Sequence, residues 1–398
     1  YGNMHLDYDI LPNLSFMIRT GIDYSGDIRV SRKPQSTVTA LRGLHQREDY
    51  TYFEQNSDFL LRYNRNLGSN LKMNLSAGGN NLQQSRYSNR ATARELVLPG
   101  VYNLGNAASR PETVEITSDK QVNSLYMMAE FDFQNALFLQ VTGRNDWSST
   151  LPKGNNSYFY PSVSVSGVLT DLFPIKTNWL NYLKLRSSYA SVGNDTDPYN
   201  TRQYYDYSPL PGSVINRATI ANAALKPEIS SSFETGIEAK LLNNRIGIDF
   251  TYYNTNTKNQ IIQVPLATSA GYAAKILNAG QIKNHGLELS LRVVPIEKKF
   301  RWELTLNGSA NRSKVVSLYE GISNYVIASR GAISVEAREG GRMGDMYGIG
   351  HLRNETGDII YRNGTPQRTT SPIKIGNYNP DFIVGVMNNF RYANFNLN

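Results

Sequence analysis

Along much of the chain, apolar and polar residues alternate with a period of two, the pattern of strands that carry one apolar and one polar face. Phe233, Thr235, Ile237, Ala239 and Leu241 alternate with Glu234, Gly236, Glu238 and Lys240. After Leu242-Asn243-Asn244 the pattern resumes, with Ile246, Ile248, Phe250 and Tyr252 set against Arg245, Gly247, Asp249 and Thr251. The next hairpin repeats it: Leu287, Leu289, Leu291 and Val293, then Phe300, Trp302, Leu304 and Leu306, oppose Glu288, Arg292, Arg301, Glu303 and Asn307. Each apolar face runs for roughly eight to ten residues, the length of a tilted strand crossing an outer membrane.

Counting two-residue periods predicts about fourteen strands, and the segments between them alternate short and long. The short ones are residues 11–13, 66–69, 134–135, 171–178, 242–244, 296–299 and 392–394; the long ones are 25–48, 80–120, 148–156, 193–227, 255–280 and 314–379. In an antiparallel meander every second connection lies at the same end of the sheet. Strict alternation therefore gathers the long segments at one end, as in transmembrane barrels with short periplasmic turns and long extracellular loops. A sandwich or propeller has no reason to sort its connections this way, and no repeat with a period of 20 to 50 residues is present. The fold expected is all-β: an antiparallel transmembrane β-barrel whose apolar face meets lipid through Ile246, Ile248, Phe250, Leu287, Leu289, Leu291, Leu304 and Leu306. Aromatic residues beside the short turns (Phe133 and Phe138, Trp179 and Tyr182, Phe300 and Trp302) fit an interfacial girdle.

Composition agrees. Among 398 residues there are 26 Tyr, 14 Phe and 3 Trp, a balance that favours strands. No stretch reaches the roughly 18 to 20 apolar residues of a membrane-spanning helix. The chain opens on YGNMHLDYDI, already strand-like and without a signal-peptide pattern, and reads as a piece of a longer protein. With no cysteine, disulfides, thiolate metal sites and a Cys nucleophile are all excluded. The formal charge of +8 comes from Lys and Arg spread along the chain, which argues against nucleic acid as a partner.

Catalytic chemistry finds no constellation. His5, His45, His285 and His351 lie far apart without metal-ligand spacing. Glu234 and Glu238 sit on one strand face, not across a cleft as a glycosidase needs, and Gly340-Gly341 lacks the strand-to-helix context of a phosphate loop. No enzyme, metal or cofactor is expected. Substrate recognition is better served by aromatic residues of the long-loop end: Trp147, Tyr158, Tyr160, Tyr204, Tyr205, Tyr207 and Tyr325. Their rings stack on sugar faces and also pack against peptide side chains.

Five stretches resemble the SusC/RagA family of TonB-dependent outer-membrane transporters, in the family's order: VTGRNDWSSTLPKGNNSYFYPSVSVSGVLTD (141–171), LKLRSSYASVGND (183–195), LKPEISSSFETGIEAKLLNNRIGIDFTYYNTNTKNQII (225–262), NAGQIKNHGLELSL (278–291) and GNYNPDFIVGVMNNFRYANFNLN (376–398). The resemblance implies a barrel of about 22 strands, with residues 1–398 as part of its wall and the signal peptide, TonB box, plug and final strands outside this chain. It also implies a place in the outer membrane of a Gram-negative bacterium, a SusD-like lipoprotein lid, the TonB complex as energy source, and an oligosaccharide substrate, with oligopeptides the alternative. NETGDIIYRNGTPQRT (354–369) departs from the family pattern, having too few carboxylates for a calcium loop. A surface adhesin and a soluble carbohydrate-binding enzyme domain stay open as rivals.

Overall fold

The computed structural model of the chain describes residues 1–173, 175, 177–207, 212–319 and 321–397. Fourteen strands form one antiparallel sheet in which each strand pairs with its neighbours in sequence. They are β1 (Gly2–Leu11), β2 (Leu14–Thr37), β3 (Ala40–Leu67), β4 (Leu71–Arg94), β5 (Glu112–Phe133), β6 (Leu137–Ser148) and β7 (Ser157–Val168). There follow β8 (Leu180–Asn194), β9 (Glu228–Leu241), β10 (Ile246–Lys258), β11 (Gln281–Glu297), β12 (Phe300–Ser317), β13 (Ile383–Tyr392) and β14 (Phe395–Leu397). Among the described residues the sole α-helix is a single turn, Leu169–Leu172, and no helix is long and apolar enough to cross a membrane.

The short turns owe their tightness to residues that tolerate left-handed backbone. Gln134 and Asn135 both have positive φ (56° and 53°), as do Leu242, Asn243 and Asn244 (52°, 57° and 64°). Asn is favoured there because its short amide satisfies local backbone groups. Positive φ at both central residues matches the turn to the twist of the flanking strands. Of the expected turn 171–178, positions 174 and 176 lie outside the described residues.

The paired registers extend each alternating pattern across the sheet. One row on the apolar face runs Leu183, Ala239, Ile248, Leu291, Leu306 and Val386; the next runs Leu185, Ile237, Phe250, Leu289, Gly308 and Val384. Further round, Leu61, Ala77, Met127 and Gly143 continue the belt. On β4 it spans Leu71 to Gly79, roughly 27 Å of strand, or roughly 21 Å of height at a tilt of about 40°, close to the apolar band of an outer-membrane barrel. These side chains are open to their surroundings: Met127 is 69% exposed, Val386 62% and Leu289 43%. An apolar face of this extent in water would be an aggregation surface.

Two long connections are corrected by the structure. Residues 25–48, expected as a loop, are the upper part of the β2–β3 hairpin, closed by Val38 and Thr39 and paired as far as Thr37 and Ala40. Residues 80–120 shrink to a loop over 95–111, because β4 and β5 pair up to Thr92 and Glu112. Their polar composition conceals a ladder held by backbone bonds, which need no apolar face. At the same end, residues 318–382 fold a small antiparallel sheet from Asn324–Arg330, Ile333–Arg338, Asp345–Gly348 and Ile373–Asn377.

Candidate functional site

Opposite the apolar belt, the sheet presents a polar face crossed by ion pairs. The row Lys184, Glu238, Asp249, Ser290 and Asn307 is typical. From the neighbouring row, Arg186 passes over Gly236 to reach the carboxylate of Asp249 (2.5 Å) and the hydroxyl of Thr251 (2.7 Å). A Cβ at position 236 would stand 2.8 Å from Arg186 Nε, so the glycine makes room for the guanidinium to cross a whole strand. Further along, Arg292 grips Glu303 with two nitrogens (2.9 and 2.8 Å) and Arg301 adds a third bond to it (2.9 Å). Arg144 holds Asp146 (2.7 Å) and Ser124 (2.8 Å), and Tyr160 donates its hydroxyl to Asp146 (2.7 Å). The partly exposed Arg186–Asp249 and Arg292–Glu303 pairs add little stability singly; together with the buried Asp146 and its partners they make one face of the wall hydrophilic.

Where the polar face meets the long segments, a second network ties them down. Asp195 accepts from Lys120 of β5 and from Ser148 at the end of β6, and Ser148 also bonds Thr150. Asn278 accepts from Lys226 N–H and donates to the carbonyls of Lys226 and Asn259. Glu228 accepts from the backbone of Ile261. Beneath these bonds Leu151, Tyr158, Leu225 and Ile276 form a buried cluster, with Tyr160 and Ile261 packed against it. Three connections (149–156, 195–227 and 259–280) thereby share one core. The short strands Thr219–Ile220 and Ala274–Asn278 pair in parallel within it.

The small sheet of 318–382 has its own polar centre. Asp345 is buried, with its carboxylate bonded to Lys374 (2.7 Å), Asn377 (2.8 Å) and the N–H of Arg342 (3.1 Å). Burial pushes this carboxyl upward, but the bonds to Lys374, Asn377 and Arg342 outweigh it and hold its pKa below the usual value. Glu336 repeats the balance: desolvation opposes ionisation, and Ser334, Asn324 and Arg338 overcome it. Arg338 in turn lies over the ring of Tyr347, 3.7 Å from its centroid.

The aromatic residues expected to meet substrate do not form one site. Tyr204, Tyr205 and Tyr207 stay together in segment 195–227, where Tyr205–Tyr207 pairs with Val214–Asn216; Tyr205 is 70% and Tyr207 92% exposed. Tyr204 stands edge-on to Tyr199 at 5.8 Å. Tyr325 is part of the small sheet, opposite Ala337. Trp147, Tyr158 and Tyr160 belong to strands, not loops. Tyr158 is only 7% exposed, its ring sealed in the cluster with Leu225 and Ile276, and is corrected from a surface aromatic to a packing residue. Tyr160 is half-buried and committed to Asp146. Trp147 pairs with Asn123, two residues beyond Leu125, which places it on the face of the apolar belt and away from the polar wall. The girdle expectation needs a similar division: Phe133, Phe300 and Trp302 lie on the apolar face, whereas Phe138 and Tyr182 pair with Asp132 and Lys240 on the polar one.

Sequence reasoning overlooked Asp195, Asn278 and the Arg186–Gly236–Asp249 crossing. Asp195 closes the quoted stretch LKLRSSYASVGND and Asn278 opens NAGQIKNHGLELSL, so both were marked by position if not by partner. Among the described residues no group of three or more His, Asp or Glu side chains converges in a metal-holding arrangement.

Residues 2–392 match the family described as TonB dependent receptor-like, beta-barrel. The chain is 25% identical, over all of its length and 43% of the relative's, to TonB-dependent receptor P3 of Formosa agariphila. It is likewise 25% identical to TonB-dependent receptor SusC of Bacteroides thetaiotaomicron, over all of this chain and 42% of that one. The chain thus spans less than half the length of these curated relatives. Its fold is similar to that in the structure of the RagAB peptide transporter, with a TM-score of 0.80 and 19% identity over 98% of this chain and 46% of the other. Sheet, belt and polar wall therefore have their place: the chain belongs to the TonB dependent receptor-like β-barrel family and is part of an outer-membrane barrel of a Gram-negative bacterium.

Proposed function

We propose that this chain is part of the barrel wall of a TonB-dependent importer that takes up oligosaccharides, without enzymatic activity of its own. The observation that carries the reading is the division of a single sheet into a continuous apolar belt and a polar face bridged by Arg186–Asp249, Arg292–Glu303 and Arg144–Asp146. A wall with two such faces separates lipid from a hydrated interior. On this reading Ile246, Ile248, Phe250, Leu287, Leu289, Leu291, Leu304 and Leu306 touch lipid, and the long segments stand outside the cell. Import of this kind needs a plug that contacts the TonB complex and a SusD-like lid over the mouth, supplied from beyond residues 1–398.

Exposed Tyr205 and Tyr207 offer ring faces suited to stacking on sugars, with Tyr204 at their base. A second reading, oligopeptide import, draws on the fold shared with a protein named as a peptide transporter. Uptake of labelled oligosaccharides and labelled oligopeptides by a deletion strain carrying the full-length protein separates the two. Saccharide uptake that needs TonB, and that falls when Tyr204, Tyr205 and Tyr207 become Ala at normal surface expression, is the expected result. Peptide uptake alone would overturn the substrate; uptake indifferent to the protein would overturn transport.

A further inference from the structure

The outward face changes chemistry abruptly at the upper edge of the belt. The last apolar row joins Ile18, Phe59, Gly79 and Leu125. One step higher stand Thr20, Ser57, Asn81 and Asn123, and one step above those Ile22, Gln55, Gln83 and Gln121. Apart from Ile22, these two rows carry hydroxyls and carboxamides, and neither holds a charge. They are cross-linked along and between the strands: Thr20 to Ser57 at 2.8 Å, Asn81 to Asn123 at 2.6 Å and Gln83 to Asn81 at 3.0 Å.

A groove of about 480 Å³ straddles this boundary. Its floor is Gly79, over which the Phe59 ring lies so closely that a Cβ would come within 2.6 Å of it. One wall is Ile18; the other is Leu125 with Trp147, which is 37% exposed. Ser57, Asn81 and Asn123 close the upper end. The groove is thus apolar below, neutral and hydrogen-bonding above, with an indole at the junction.

We propose that this groove binds an outer-leaflet glycolipid, an acyl segment lying between Ile18 and Leu125 and the first sugars of the head meeting Asn81, Asn123 and Trp147. The groove is continuous with the lipid-facing belt, so its occupant arrives by lateral diffusion. Carboxamides and hydroxyls match sugar hydroxyls in both donors and acceptors. A phosphate head would call for Arg or Lys, and the two polar rows hold neither. An indole at a membrane boundary presents an apolar ring face and an N–H donor together. The inference rests on the orientation taken under Proposed function, with the long segments outside the cell.

The test uses the full-length protein in nanodiscs of phosphatidylethanolamine doped with a purified rough-type lipopolysaccharide from which the phosphates have been removed, with bound lipid counted by native mass spectrometry. Lipopolysaccharide retained by the wild type, and lost by about tenfold in affinity in the double variant N81L/N123L and in W147A, is the expected result. W147F, which keeps an aromatic face, retains most of it, and heat-modified gel mobility confirms that each variant is folded. Equal retention in all variants, or phosphatidylethanolamine held as tightly as the glycolipid, overturns the site and leaves transport untouched. Orientation is read separately by V38C, at the hairpin tip, in a protein whose described wall has no other cysteine. Labelling of intact cells by an impermeant maleimide supports it; labelling only after permeabilisation overturns both the orientation and the glycolipid site.

Discussion

Replacing Leu289 by Arg asks directly which solvent the apolar face meets. Leu289 lies on β11 between Phe250 and Gly308, and with Leu291 it occupies the middle of the apolar run Leu287 to Val293. Its side chain is 43% exposed, so no steric penalty accompanies a longer residue. Were that face in water, the substitution would alter stability within about ±0.5 kcal/mol, as at other surface sites. In hydrocarbon near the bilayer midplane an outward Arg costs roughly 2–4 kcal/mol, or roughly 30- to 700-fold in the folding equilibrium. Ser290→Arg is the control: it lies opposite Asp249 on the polar face, and its cost should be close to zero. Denaturant titration of the full-length protein in phospholipid bilayers measures both, the shift in midpoint at constant slope giving the free energy. Equal stabilities of the two variants would refute the assignment of the faces.

Two further outcomes follow from particular contacts. Gly236→Val should break the Arg186–Asp249 pair, since the new Cβ would collide with the guanidinium; a loss of roughly 1–3 kcal/mol is expected from overpacking, against little change for Gly247→Ala, whose nearest neighbour would be 3.7 Å away, both read by thermal melting. Acidification should loosen the small sheet of 318–382: the Asp345 pKa is lowered in the folded state, so its contribution is fully present above the ordinary carboxylate value of 3.8 and is lost as pH falls below it. Limited proteolysis across pH 3 to 5 should show cleavage in this segment rising below about pH 4, and Asp345→Asn should remove that step.

Much of the wall is written in local pattern. Period-two alternation in residues 233–252 and 287–306 marks both faces, and Asn243-Asn244 and Gln134-Asn135 mark tight turns through their tolerance of left-handed backbone. Residues 80–92 escape such reading because a strand that rises beyond the belt has no apolar face to announce it, and in residues 25–37 only Ile28 and Val30 keep up the alternation, among Gly26, Arg32 and Pro34 on the same face. Gln55, Ser57, Asn81 and Gln83 have loop composition and ladder geometry. Trp147 was legible in principle, since continuing the alternation Leu139, Val141, Gly143 by two steps lands on it. Tyr158 was not: its burial depends on Leu225 and Ile276, remote in sequence, and Gly236 is meaningful only once Arg186 and Asp249 flank it.

The distribution of buried side chains then explains why faces outweigh packing in this molecule. The wall is a single layer, and the few fully buried large residues, among them Leu96, Leu225, Ile276 and Val315, lie at the long-segment end. Within the belt, backbone ladders join each strand to its neighbours in sequence, while side chains such as Met127 and Val386 have no protein layer above them. An apolar substitution there creates no cavity in a close-packed interior, so the usual large-to-small cost of roughly 2–5 kcal/mol has no basis in the belt. It does apply to Leu225 and Ile276, which join three connections into one cap. Changes in the belt therefore act through the match to the surrounding solvent, and changes in the cap act through packing. The same chain is a membrane protein along its middle and an ordinary water-soluble fold at its rim.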